Sequence, residues 1–151
     1  MSQREFGVWF PTIRTGTGTD SFTERLVDGL RRHGIRAQID WLPHYAEFIP
    51  YAVATPERPE WADLTHVNSW LPNKFIPKDC PFICTVHSIV HAPEIRRYKT
   101  AMQAIYHRHW IHRCEKLSID GAAAVTAVSR YVAAQVSNDF GRKAEVVLNW
   151  V

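Results

Sequence analysis

No run among the 151 residues approaches the roughly 20 consecutive apolar positions that a membrane-spanning helix needs. Low-complexity tracts and internal repeats are missing as well, which excludes solenoid and propeller architectures. Cysteine is scarce. Cys80, Cys84 and Cys114 make an odd count, unsuited to a disulfide framework, and favour reduced thiols in the cytoplasm. Cys80 and Cys84 lack a second ligand pair beside them, so buried strand thiols are expected there rather than metal ligands. The opening Met1-Ser2-Gln3-Arg4-Glu5 runs straight into an apolar segment, and no signal peptide is expected. Charge of one sign is also in short supply. A net +3 and a pI of about 8.9 choose nothing among nucleic acid, anionic membrane and anionic substrate. No nucleic-acid-binding signature accompanies them, and no nucleic-acid partner is expected.

What is present begins with Phe6-Gly7-Val8-Trp9-Phe10-Pro11, a short apolar run leading into Thr15-Gly16-Thr17-Gly18-Thr19-Asp20. An amphipathic stretch follows and closes at His33-Gly34, with Phe22, Leu26 and Leu30 on one face. Ser21-Phe22-Thr23-Glu24 fits a capping box at its start. Strand, glycine loop and helix is the layout by which α/β proteins hold phosphates. Glycines let backbone N–H groups approach an anion, and the helix N-terminus presents roughly half a positive charge.

Further strands are expected at residues 35–42, 62–67, 81–87, 122–128 and 144–149, from their alternating or continuous apolar patterns. Four prolines between residues 43 and 59 mark a long irregular stretch carrying Tyr45, Phe48 and Tyr51; loops of this length tend to be functional. A long helix is expected from Glu94 to Ile119, its stripe running through Ile95, Tyr98, Met102, Ile105, Trp110, Cys114 and Leu117. Ser129 caps a last helix with Val132, Val136 and Phe140 on its face and Gly141 at its end. This alternation predicts an α/β fold, a Rossmann-like parallel sheet of about six strands with helices on both faces. Right-handed crossovers put the glycine loop, His87 and Ser129 on one rim, where such sheets bind ligands.

These motifs, in this order, are similar to one half of a GT-B fold: the N-terminal, acceptor-side domain of the family 4 retaining glycosyltransferases. The resemblance covers essentially the whole chain, through Gly16 and Gly18, Leu30-Arg31-Arg32-His33-Gly34-Ile35, Ala62-Asp63-Leu64-Thr65-His66-Val67, Thr85-Val86-His87-Ser88, Ala127-Val128-Ser129 and Val147-Leu148-Asn149-Trp150-Val151. It departs from the family at Ser88, where an acidic residue is common, and at Trp150, where glycine usually stands. The resemblance implies sugar transfer from a nucleotide-diphosphate sugar to a glycan or lipid-linked acceptor, with retention and without a metal ion or other cofactor. It also implies a partner module, the C-terminal donor-binding domain, in cis or as a separate chain; residues 1–151 alone are expected to be inactive. Cell-surface polysaccharide synthesis at the inner face of the membrane is the setting it suggests.

Residue by residue, the resemblance implies that His87 touches the donor sugar. Backbone amides around Gly16, Thr17 and Gly18 would face the donor phosphates and the transferred sugar, Ser88 would reach the cleft, and Asn149 would fix the linker or reach the cleft. Arg14 would meet an acceptor phosphate or carboxylate. Ser129 reads first as a helix cap. Metal pairing of His87 with His91, or of His109 with His112, is disfavoured against ordinary surface or core histidines. The basic residues Arg96, Arg97, Lys99, Arg108, Arg113 and Lys116 suit either a solvated face or peripheral contact with an anionic membrane. Two rival readings differ in class. Gly16-Thr17-Gly18 is half of a dinucleotide fingerprint and, with Asp40 at the end of strand two where a ribose-binding acid belongs, would suit an NAD(P)-dependent oxidoreductase. Ser21 at the third glycine's position, and a loop lengthened by Thr12-Ile13-Arg14-Thr15, count against it. The other rival is a non-catalytic carbohydrate- or lipid-binding partner subunit.

Overall fold

A computed structural model describes residues 5–89 and 100–148. Six parallel strands form one sheet in the order β2-β1-β3-β4-β5-β6. They are β1 (Gly7–Ile13), β2 (Arg36–Leu42), β3 (Leu64–Asn68), β4 (Phe82–Val86), β5 (Ala124–Ala127) and β6 (Glu145–Val146). The expected α/β architecture is therefore observed. Helix α1 (Gly18–Arg32) connects β1 to β2 and packs on one face, where Val27 meets Val8, Phe10 and Ala37. The opposite face carries the larger core. There Cys84, Val86 and Val125 meet Ile119 of α3 (His112–Gly121) and Val132 and Val136 of α4 (Arg130–Phe140).

Period-two alternation assigns each strand's residues to a face. In β4, Phe82, Cys84 and Val86 enter the larger core, while Thr85 hydrogen-bonds on the α1 side, where His87 meets Phe22 of α1. On that side the sheet is polar: His66 Nε2 lies 2.8 Å from Thr85 Oγ1, which lies 2.7 Å from Thr126 Oγ1. All three cysteines are buried and free, with Cys84 in its strand and Cys114 on the long helix as expected, while Cys80 precedes its strand.

Several boundaries differ from expectation for local reasons. β1 continues through Thr12 and Ile13, so the loop after it is only Arg14–Thr17 and its length no longer argues against a dinucleotide. Helix α1 begins at Gly18 with Thr17 as its cap, not at Ser21, because Asp20 draws the preceding loop back onto the first turn. β6 is two exposed residues. The long helix is seen from Ala101. It runs as α2 (Ala101–Tyr106), a π-helical stretch His107–Ile111, and α3. The π stretch holds one residue more than an α turn, so the stripe rotates. Met102, Ile105 and Leu117 are exposed, and Ile111, Cys114, Ser118 and Ile119 face the core. His91, the first turns expected from Glu94, and Asn149 lie outside the described residues.

Candidate functional site

The chain leaves β1 for β2 on one side and later returns to β3 on the other, which makes the β1/β3 boundary the reversal point of the sheet. Pro11 opens it. The Gly7 N–H and C=O both bond towards Asp63, on the β3 side, and period two places the Pro11 nitrogen on that side. Proline has no hydrogen to donate, and the β1–β3 register covers only Val8 with Leu64 and Trp9 with Thr65. Above this point the strands part around a cavity of about 290 Å³. Thr12, Ile13 and Asn68 form its floor, and His87 and Ser88 one end.

The first wall is the loop after β1. Gly16 has φ +72°, a left-handed conformation natural to glycine. The buried Asp20 carboxylate accepts from the amides of Thr15 (3.1 Å) and Gly16 (2.8 Å) and from the Thr15 hydroxyl (2.9 Å). An internal anion thus occupies amides that the sequence offers to a phosphate. Thr17 and Thr19 line the cavity between this knot and the helix start. Gly18 is exposed, and a Cβ there would meet nothing within 4 Å, so no protein neighbour requires a glycine.

His87 closes one end. Its Nε2 lies 3.0 Å from Asn68 Oδ1, and Phe22 of α1 stands edge-on to its ring at 4.7 Å. Burial lowers its pKa to about 4, which leaves the imidazole neutral at pH 7. His66, deeper on the same face, is lowered to about 3 by burial and then by His87.

The second wall comes from the proline-rich stretch and the loop after β3. A 3₁₀ turn (His44–Glu47) brings Glu47 to the cavity, with His44 Nε2 3.8 Å from its carboxylate. Burial raises the Glu47 pKa; the Tyr106 hydroxyl, donating at 3.3 Å, and His44 act against this. Trp110 Nε1 donates to the Glu47 carbonyl at 2.9 Å. Trp70, also on the cavity, donates to the fully buried Glu115 at 3.0 Å. One helical rod therefore holds both loops of this wall, through Tyr106 and Trp110 on one side and Glu115 on the other.

Of the residues singled out in the sequence, Thr17, His87 and Ser88 meet on the cavity. Gly16 and Gly18 flank it at the first wall. Arg14 does not line it: its guanidinium lies 3.9 Å over the Trp41 ring and 3.9 Å from Glu24. Ser129 accepts from the Val132 amide at 3.1 Å as the cap of α4. His112 stacks on Phe140 while His109 is exposed, because the π stretch turns them apart. Asp40 accepts from Trp9 Nε1 (2.7 Å) and Gln38 (2.8 Å), two residues short of the end of β2, so it is committed to the sheet and not to a ribose. Sequence reasoning passed over Glu47, Asn68 and Trp70. Asn68 carries a signal, since it continues the polar alternation from His66 at the end of a strand; Glu47 carries none.

No curated protein matches the chain. The family model for Glycosyltransferase Family 4 matches residues 11–151, a span that takes in both walls of the cavity and the whole sheet beyond the first turns of β1. The match covers nearly the whole chain, and the chain belongs to Glycosyltransferase Family 4.

Proposed function

We propose that this domain forms the acceptor-side half of a retaining, GT-B-type glycosyltransferase, with the sugar of a nucleotide-diphosphate donor entering the β1/β3 cavity. The observation that carries the reading is His87: a neutral imidazole at a cavity wall, unsuited to a phosphate but suited to sugar hydroxyls. The exposed helix start at Gly18, with its positive dipole end and open space, supports donor phosphates approaching from outside the Asp20 knot. A second Rossmann-like module, in cis or separate, grips the nucleotide across the cleft, and transfer proceeds on one face of the sugar without a metal. The acceptor is a glycan or lipid-linked sugar. Exposed Arg108 and Arg113, beside exposed Met102 and Ile105, support peripheral contact with the inner face of a membrane. Among the described residues no helix is long and apolar enough to cross one.

Transfer of labelled sugar from nucleotide-diphosphate hexoses, measured in the native enzyme, tests this. His87→Ala lowers kcat by about 100-fold or more, in the range of losing one positioned polar group at a reacting centre. Gly18→Ala also lowers transfer while leaving the melting temperature unchanged, because its methyl meets no protein atom. Micromolar NADH binding without any sugar transfer overturns the reading. Full transfer by residues 1–151 alone overturns the two-module part.

A further inference from the structure

Asn68 sits where bonding from three elements converges, and its amide faces only one way. The Thr23 hydroxyl on α1 donates to the Thr19 carbonyl at 2.9 Å, so towards Asn68 Nδ2, 3.4 Å away, it offers only a lone pair. Thr12 Oγ1 of β1 receives the same nitrogen at 3.1 Å. With its two N–H groups directed to hydroxyl oxygens, Asn68 turns Oδ1 to His87 Nε2 at 3.0 Å. An amide oxygen has no hydrogen to give. The imidazole nitrogen facing it must therefore carry the proton. Turning the ring over would put Cε1, not the other nitrogen, against Asn68, so this bond also fixes the ring's orientation, with Phe22 edge-on to it at 83°.

We propose that Asn68 is a positioning residue that holds His87 in its Nε2–H tautomer and leaves Nδ1 as the ring's hydrogen-bond acceptor. The sequence of donors runs from His87 to Asn68, from Asn68 to Thr23, and ends on a carbonyl of α1. A ligand group meeting Nδ1 must then bring its own hydrogen. A hydroxyl does so; an ionised phosphate oxygen does not. The tautomer follows from the hydrogen bonds alone, and only the ligand hydroxyl rests on the function proposed above.

Nitrogen-15 long-range correlation spectra of the 151-residue chain near neutral pH report each histidine's tautomer, with His87→Gln identifying the signal. The expected result is Nε2–H for His87, a mixed tautomer in Asn68→Leu, and a return to Nε2–H in Asn68→Asp, which keeps an oxygen facing the ring. An unchanged His112 signal certifies the fold of each variant. Nδ1–H in the unaltered chain overturns the proposal. So does a folded Asn68→Leu that keeps a pure Nε2–H form, or an Asn68→Asp that behaves like Asn68→Leu. Should Asn68→Leu fail to fold, the unaltered chain and Asn68→Asp still decide. No substrate enters this measurement, so its failure is distinct from failure of the proposed function. In the native enzyme, Asn68→Leu lowers kcat/KM by about 10-fold or more, the usual loss when a partner behind a functional group is removed. Asn68→Asp recovers part of that loss. Unaltered transfer by Asn68→Leu overturns the hydroxyl step.

Discussion

The two walls of the cavity are built by opposite means. The first is wired locally: Thr15, Gly16, Thr17 and Asp20 bond to one another within six residues. The second is held from afar, with Glu47 reaching partners 59 and 63 residues away and Trp70 one 45 residues away. The first exposes small hydroxylated side chains and a bare helix start. The second exposes Tyr45, Phe48, Ile49 and Tyr51 in and between its two 3₁₀ turns, His44–Glu47 and Pro50–Ala52. A locally knotted wall keeps its shape as long as its own few bonds last. A wall tied to a distant rod follows the rod, and opening it requires breaking two or three long-range bonds rather than refolding a loop. The difference ties the helix start to its own loop and the aromatic residues to a distant rod.

The largest expected effect is that of acid, which acts with opposite signs at the histidine end of the cavity and at its second wall. His66 and His87 have folded pKa values of about 3 and about 4 against 6.5 when unconstrained. Below pH 6.5 the unfolded chain takes protons that the folded chain refuses. Stability therefore falls as pH drops, by about 1.4 kcal/mol per pH unit for each histidine, and levels off below the folded values. Glu47 responds with the opposite sign, since its raised pKa means that protonation as pH falls favours the folded state. Urea unfolding across this pH range should show a net loss, and His87→Gln should remove its own share of the slope.

Asp20→Ala comes next. Losing charge-assisted bonds from a buried carboxylate costs about 2–3 kcal/mol, and amide exchange at Thr15 and Gly16 accelerates while the second wall keeps its protection. Trp110→Phe has a smaller effect. It removes one neutral donor from the Glu47 carbonyl, at about 1 kcal/mol, and residues 44–52 gain exchange while the first wall does not. If either variant loosened both walls equally, the distinction between them would fail. The smallest effect is that of Glu47→Gln, which keeps an oxygen for Tyr106 and removes a half-buried charge; thermal stability at neutral pH rises slightly or stays level.

How far the sequence could be read follows the same division. β4 was legible because residues 81–87 form a nearly continuous apolar run, and α4 because Ser129, Val132, Val136 and Gly141 each report their position locally. The glycine loop, His87 and Ser129 could be placed on the rim because parallel topology decides which end of a strand they follow. The start of α1 was read four residues late, with Ser21 rather than Thr17 as its cap, since Thr15 through Ser21 offers several capping side chains and only Asp20's backward bonds choose among them. The stripe on the long helix misled for a different reason: an α period cannot anticipate the extra residue at His107–Ile111. Glu47 was invisible because its environment is made by Tyr106 and Trp110, and no spacing in the chain encodes that meeting.

That extra residue has a consequence of its own. Removing it would turn Ala101–Tyr106 by about 100° against His112–Gly121. Tyr106 could then reach Glu47 only if Cys114, Glu115 and Ile119 swung out of the interior, or the interior could stay closed while the turn at residue 47 was released. A single surplus peptide unit lets one rod satisfy two faces whose geometries do not share a period. Single-residue deletions within 107–111 should therefore be far more damaging than deletions in the exposed loops at either end of the sheet.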